Sequence, residues 1–178
     1  MNKIFRTALI VCMLLVNGCS KFVTWDEFAL KQTRYDGAEL KINGYYYKLG
    51  EDGRYQSCYC FYKNGVLLNM GGYKSSISEV DEYIKQRFIL RDFCYSNKPC
   101  WGIFVITGRK IQFEHYYITD QLVKASYIRE GRILNDSTFH ITVSYRSDGS
   151  ERGDENEYYH FRKFEKPDST NVFLGKPN

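Results

Sequence analysis

The chain has 178 residues, with 25 basic against 21 acidic side chains and a formal charge of +4. That excess is too mild and too evenly spread to argue for nucleic acid as a partner. Sixteen Tyr, twelve Phe and two Trp, beside few Ala and Leu, favour strands over helices.

The N-terminus carries Lys3 and Arg6, then an apolar run from Ala8 to Val16, then Asn17-Gly18-Cys19. A charged start, a short apolar core and a small residue at the cut site are the parts of a secretory signal. The run is too short to span a bilayer, which takes roughly 20 apolar residues. Val16-Asn17-Gly18-Cys19 resembles the lipobox of bacterial lipoproteins. The resemblance implies cleavage before Cys19, a diacylglycerol on its thiol and acylation, with palmitate for example, of the freed amine. The expected location is the bacterial cell envelope, on the outer membrane, with the membrane itself as first partner. Two or three acyl chains, at about 0.8 kcal/mol per buried methylene, hold such a protein stably. Loss of residues 1–18 removes Lys3 and Arg6, the only charges there, and lowers +4 to +2.

Residues 19–38 read as a tether and a short helix. Thr24-Trp25-Asp26-Glu27 has the spacing of a capping box, with Val23 and Phe28 as a staple, and predicts one or two turns from Trp25 to Lys31. Strands are expected over Glu39 to Lys48 and Gln56 to Lys63. Asn64-Gly65 is a strong hairpin signal, and Val66 to Asn69 returns as the third strand. From Ser76 to Arg91 the rhythm becomes helical: Ser76 and Glu79 form a capping box, and Ile77, Val80, Ile84 and Phe88 share a face. Asp81 and Lys85 are spaced to pair on the other face. This helix reads as cover for a sheet before it reads as a lid.

Strands resume with Trp101 to Thr107, Lys110 to Tyr117, Val123 to Leu134 (with a bulge tolerated at Gly131), and Thr138 to Arg146. A polar turn over Ser147 to Asn156, whose acidic residues read as solvated, leads to Glu157 to Glu165. Residues 166–178 read as an extended tail. Asp136-Ser137-Thr138 and Asp168-Ser169-Thr170 resemble a short O-glycosylation signal of some Gram-negative bacteria, and are also ordinary turn chemistry.

The expected fold is therefore mainly β: an antiparallel eight-stranded barrel, or strongly curved sheet, over residues 39–165, with one inserted helix over 76–91. Closure into a barrel removes the edges of such a sheet. The strand order resembles the lipocalin-type barrels, and Trp101 to Phe164 is similar to small lipocalin-like bacterial lipoproteins. Where lipocalins carry Gly-x-Trp, this chain has Gly44-Tyr45-Tyr46.

Cys58, Cys60, Cys94 and Cys100 are disulfide candidates in an oxidising compartment. Cys58 and Cys60 share a strand face at close to 7 Å between Cα atoms, which disfavours a bond between them. Cys94 with Cys100, or both reaching across to Cys58 and Cys60, stay open. Neither a metal site nor a redox pair fits the cysteine spacing. No catalytic motif and no cofactor motif is present, and His115, His140 and His160 read as solvent-facing strand residues. Strand alternation places Ile103, Val105, Ile111, Phe113, Phe139, Ile141 and Val143 inside, with Tyr127 and Tyr145 supplying hydroxyls. The expected function is non-enzymatic binding of a small apolar or amphipathic ligand. The alternative is an interaction module of an envelope or surface assembly, with a filled core and an envelope protein as partner.

Overall fold

The computed structural model describes residues 24–72, 74–89, 97–117 and 123–174. Cys19, the signal region and Cys94 lie outside these residues.

The elements in chain order are β1 (Thr24–Trp25), β2 (Gly44–Leu49), β3 (Tyr55–Phe61), β4 (Val66–Asn69) and α1 (Ile77–Ile89). A single 3-10 turn (Lys98–Cys100) leads into β5 (Trp101–Thr107), followed by β6 (Lys110–Tyr116), β7 (Val123–Lys124), β8 (Ser126–Asn135), β9 (Thr138–Arg146) and β10 (Gly153–Lys163). Strands β2, β3, β4, β5, β6, β8, β9 and β10 form one closed antiparallel barrel, each hydrogen-bonded to its neighbours in the chain. Closure comes from β10 on β2, with Phe161 opposite Tyr46 and Arg162 opposite Tyr45. This is an up-and-down eight-stranded barrel. Among the described residues no helix is long and apolar enough to cross a membrane.

Local chemistry explains the turns. Gly65 takes φ +78° at the β3–β4 hairpin, and a Cβ there would also stand 2.1 Å from the Thr33 carbonyl oxygen. Only glycine meets both demands. The register shifts between Glu130 and Gly131, where a Cβ would stand 1.9 Å from the His140 carbonyl oxygen.

Two cores result. The inner one fills the barrel with side chains from alternate strand positions, among them Tyr46, Tyr59, Phe61, Phe104, Phe113, Phe139, Ile141 and Tyr159. The outer one lies on the far face of β2 to β5, where Tyr45, Cys58, Cys60, Leu68 and Trp101 are covered by Val80 and Ile84 of α1. The helix starts as its sequence dictates: Ser76 Oγ accepts the Glu79 N–H at 3.2 Å, and the Glu79 carboxylate accepts the Ser75 N–H at 2.8 Å. Asp81 turns to the barrel, accepting from Tyr45 Oη at 2.8 Å and Arg162 Nε at 3.0 Å. Burial alone would raise the Asp81 carboxyl, but the Arg162 and Tyr45 hydrogen bonds outweigh it and hold it below the usual range.

Several expectations need correction. Trp25 to Lys31 is not a helix but an extended strap. Its backbone donors are satisfied by the barrel instead: the Ala29 and Leu30 N–H groups bond the Glu114 carboxylate at 3.1 and 2.8 Å, and Asp26 N–H bonds the Lys124 carbonyl. The first barrel strand starts at Gly44, because residues 33–43 instead cross one end of the barrel. There Tyr35 and Leu40 join the inner core, with Tyr35 N–H bonded to the Lys63 carbonyl and Lys41 N–H to the Asp136 carbonyl. Val123 to Leu134 breaks at Ala125, since β7 pairs in parallel with β1. The last strand begins at Gly153, inside the segment read as a turn. Residues 164–174 are docked: Phe164, Phe173 and Leu174 pack on the outer core, and Lys166 Nζ donates to the Ile42 and Phe61 carbonyls. Cys58, Cys60 and Cys100 form no disulfide with one another. Cys58 and Cys60 do share one face, under the helix, where burial pushes the Cys58 thiol up to about 12.

Candidate functional site

The barrel is chemically divided along its axis. Toward the end crossed by residues 33–43 its interior is a set of interlocked rings. Phe61 lies 4.9 Å from Phe104, Phe113 is 4.9 Å from Tyr59, and Phe139 stacks on Tyr159 at 4.8 Å. Such spacings are those of close-packed aromatic cores. At the opposite end, which we call the mouth, the inward positions are charged or polar.

Strand register makes the mouth. His115 and Phe113 on β6 stand opposite Tyr127 and Arg129 on β8, and Arg129 stands opposite Ser144 on β9. Arg129 is only 4% exposed. It donates to Glu157 through Nη2, and Glu155 lies 3.9 Å from the same nitrogen. Glu157 is shared, since it also accepts from Lys48 Nζ and from Tyr159 Oη at 3.0 Å. Glu155 accepts from Ser144 Oγ at 2.7 Å. Lys48 and Arg129 are thus matched by Glu155 and Glu157, as burial of charge requires. The Nε–H of Arg129 is buried and has no hydrogen-bond partner among the described residues.

His115 is buried too. Its Nδ1 lies 3.1 Å from the Tyr116 carbonyl and its Nε2 lies 3.2 Å from Tyr59 Oη. A neutral ring with its proton on Nδ1 satisfies both contacts, and burial lowers its pKa to about 4. Burial also pushes the Tyr59 hydroxyl up to about 12 and raises that of Tyr159. The mouth therefore holds hydroxyls and a guanidinium beside carboxylates, with the Tyr59 and Tyr159 O–H groups donated to His115 Nε2 and Glu157.

On the rim, a cleft of about 580 Å³ opens between β2 and β10, lined by Lys48, Gln56, Asn156, Glu157, Tyr158 and His160 among others. Lys48 and Glu157 belong both to this cleft and to the Arg129 cluster. Tyr158 is 46% exposed and stacks on His140 with ring centroids 4.1 Å apart.

The residues expected to line a ligand cavity divide four ways. Ile111, Phe113, Phe139 and Ile141 are inside, as parts of the ring-packed core. Ile103 and Val105 face outward, because Phe104 and Ile106 take the inner positions of β5 opposite Phe113 and Ile111. That strand is apolar on both faces, so alternation could not choose its parity. Val143 and Tyr145 also leave the interior. The bulge between Ile141 and Val143 flips the strand, so Ser144 faces in while Tyr145 Oη bonds Glu130 at 3.2 Å and accepts from Gln112 at 3.3 Å outside. Tyr127 stands at the rim, donating to Glu151.

Sequence reasoning missed Lys48, Arg129, Glu155, Glu157 and the buried His115. One signal existed. Glu155, Glu157 and Tyr159 alternate with Asn156, Tyr158 and His160, a period-two pattern hidden by its charge. Glu114 stays apart from His115, on the outer face, as neighbours on a strand must. Among the described residues no group of three or more His, Cys, Asp or Glu is placed to hold a metal ion. No protein-family model, no curated protein and no solved structure matches this chain.

Proposed function

We propose that this chain is an exported, lipid-anchored, non-enzymatic binding protein that receives a small ligand at the mouth of its barrel. The observation that carries the reading is Arg129, a guanidinium sunk in a barrel whose other half is aromatic. A buried charge costs several kcal/mol and brings no gain in packing, so a site that keeps one suits recognition. The ring-filled half moves the binding region from the apolar interior to the polar end. The tyrosines there are held protonated and the imidazole neutral, which suits non-covalent binding better than nucleophilic attack. The anchor rests on the lipobox-like Val16-Asn17-Gly18-Cys19.

The second reading, an interaction module of an envelope assembly, draws on the same rings. A barrel filled by Phe61, Phe104, Phe113 and Phe139 needs no ligand to be stable.

Native mass spectrometry of the detergent-extracted protein separates the two. Binding predicts a non-covalent small-molecule adduct that is lost when Arg129 is changed to Lys. A bare polypeptide mass from freshly extracted material favours the interaction module. For the anchor, palmitate labelling should disappear and the protein leave the membrane fraction in Cys19→Ala. Unchanged fractionation would remove lipidation from the account.

A further inference from the structure

We infer that the ligand of the mouth is uncharged and rich in hydroxyls, that is, a saccharide seated in the rim cleft that Lys48 and Glu157 line. The inference rests on reading the mouth as a binding site and adds the chemistry of what binds.

Charge balance is the first ground. Lys48 and Arg129 are already matched by Glu155 and Glu157, whose side chains are 28% and 15% exposed. An anionic ligand would leave a negative charge uncompensated in a half-buried site, and a cationic one would leave a positive charge. Either costs more there than in water. Nearby Asp52 does not change this balance, because it is paired with Arg54 at 2.6 Å, and Glu51, the other acidic group that lines the cleft, is exposed to solvent that screens its charge.

Hydrogen-bond inventory is the second. The cleft mixes donors and acceptors: the Gln56 and Asn156 amides, the His160 ring, the Glu157 carboxylate and the Lys48 ammonium. A hydroxyl both donates and accepts, so vicinal hydroxyls can use such a surface with no net charge. Arg129 is not among the residues that line the cleft and is joined to it through Glu157. Glu157 connects the two levels, lining the cleft while it holds Arg129, Lys48 and Tyr159.

Shape is the third. A cleft of about 580 Å³ is within the range of small-ligand sites and has room for one or two sugar rings. The exposed Tyr158 ring supplies an aromatic surface at its edge, suited to the C–H face of a pyranose.

The test is a glycan microarray probed with the detergent-extracted full chain, together with calorimetric titration of octanoate and of inorganic phosphate. We expect at least one neutral glycan to bind. Binding should weaken about tenfold or more in Arg129→Lys, which keeps the charge but gives up the guanidinium hold on Glu157 in the cleft wall. Tyr158→Ala, at an exposed position that puts folding at little risk, should weaken it as well. Octanoate or phosphate binding without any glycan would overturn the saccharide and leave the binding reading standing. Glycan binding that survives both substitutions unchanged would overturn the placement in this cleft. If no glycan binds while native mass spectrometry still shows an adduct, the saccharide fails and the binding reading survives. If both are blank, both fail.

Discussion

The two halves of the barrel interior are built from the same strands yet obey different rules. In the ring-filled half, Phe113 on β6 and Phe139 on β9 are fully buried and need only neighbours of suitable shape. In the mouth, the next inward positions of those strands and their neighbours carry His115, Arg129 and Ser144, each of which needs a specific partner. Apolar packing tolerates approximate solutions, whereas a buried guanidinium tolerates very few. The ring-filled half is thus held by shape, and the mouth by the pairing of individual groups.

The sharpest way to break that contrast is to damage one half at a time. Phe113→Ala removes a ring that touches Tyr59, Phe61 and Phe139, and should cost about 4 kcal/mol in urea unfolding. A loss under about 1 kcal/mol would mean that the ring-filled half is not a close-packed core. The mouth offers a pH test of similar size. The unfolded chain protonates His115 near pH 6.5 and the folded chain only near about 4, so the unfolded state binds more protons between those values. The stability that comes from the neutral ring is complete above pH 6.5 and is lost as pH falls through that window. The shift corresponds to about 3 kcal/mol. Denaturation at pH 7 and at pH 4.5, compared with His115→Gln, isolates this contribution; identical pH profiles would rule out a buried neutral imidazole.

Smaller effects sharpen the picture. Glu157→Gln takes the nearer carboxylate from Arg129, leaving Glu155 at 3.9 Å, and should cost about 2–3 kcal/mol, most of it regained when Arg129 is changed to Met in the same chain. If the double change is as damaging as the single one, Glu157 and Arg129 do not act as an energetic pair. Asp81→Asn should cost about 1 kcal/mol, because the Arg162 half of that contact is partly solvent-screened. Hydrogen exchange should quicken in α1 and leave the barrel strands unchanged.

Much was legible because it is local. The capping box before Ile77, the Asn64-Gly65 hairpin, the tolerance for a bulge at Gly131 and the shared face of Cys58 and Cys60 depend on a few consecutive residues. The Thr24 capping pattern misled for the opposite reason. A short amphipathic stretch has little helical stability of its own, and the buried Glu114 carboxylate, more than eighty residues away, takes its backbone donors.

Sequence alone determined the class: enough period-two segments and turn residues for eight antiparallel strands, and one helix with an apolar stripe. Tertiary structure decided which side of each strand faces in. On β5 both faces are apolar, and on β9 a single extra residue exchanges them, so Val105 and Val143 went out while Phe104 and Ser144 went in. Facing is a property of pairs of strands and of barrel closure, set by hydrogen bonds between residues far apart in the chain. The candidate site depends on that choice, because Arg129, Glu155 and Glu157 would be ordinary surface charges if their strands faced the other way.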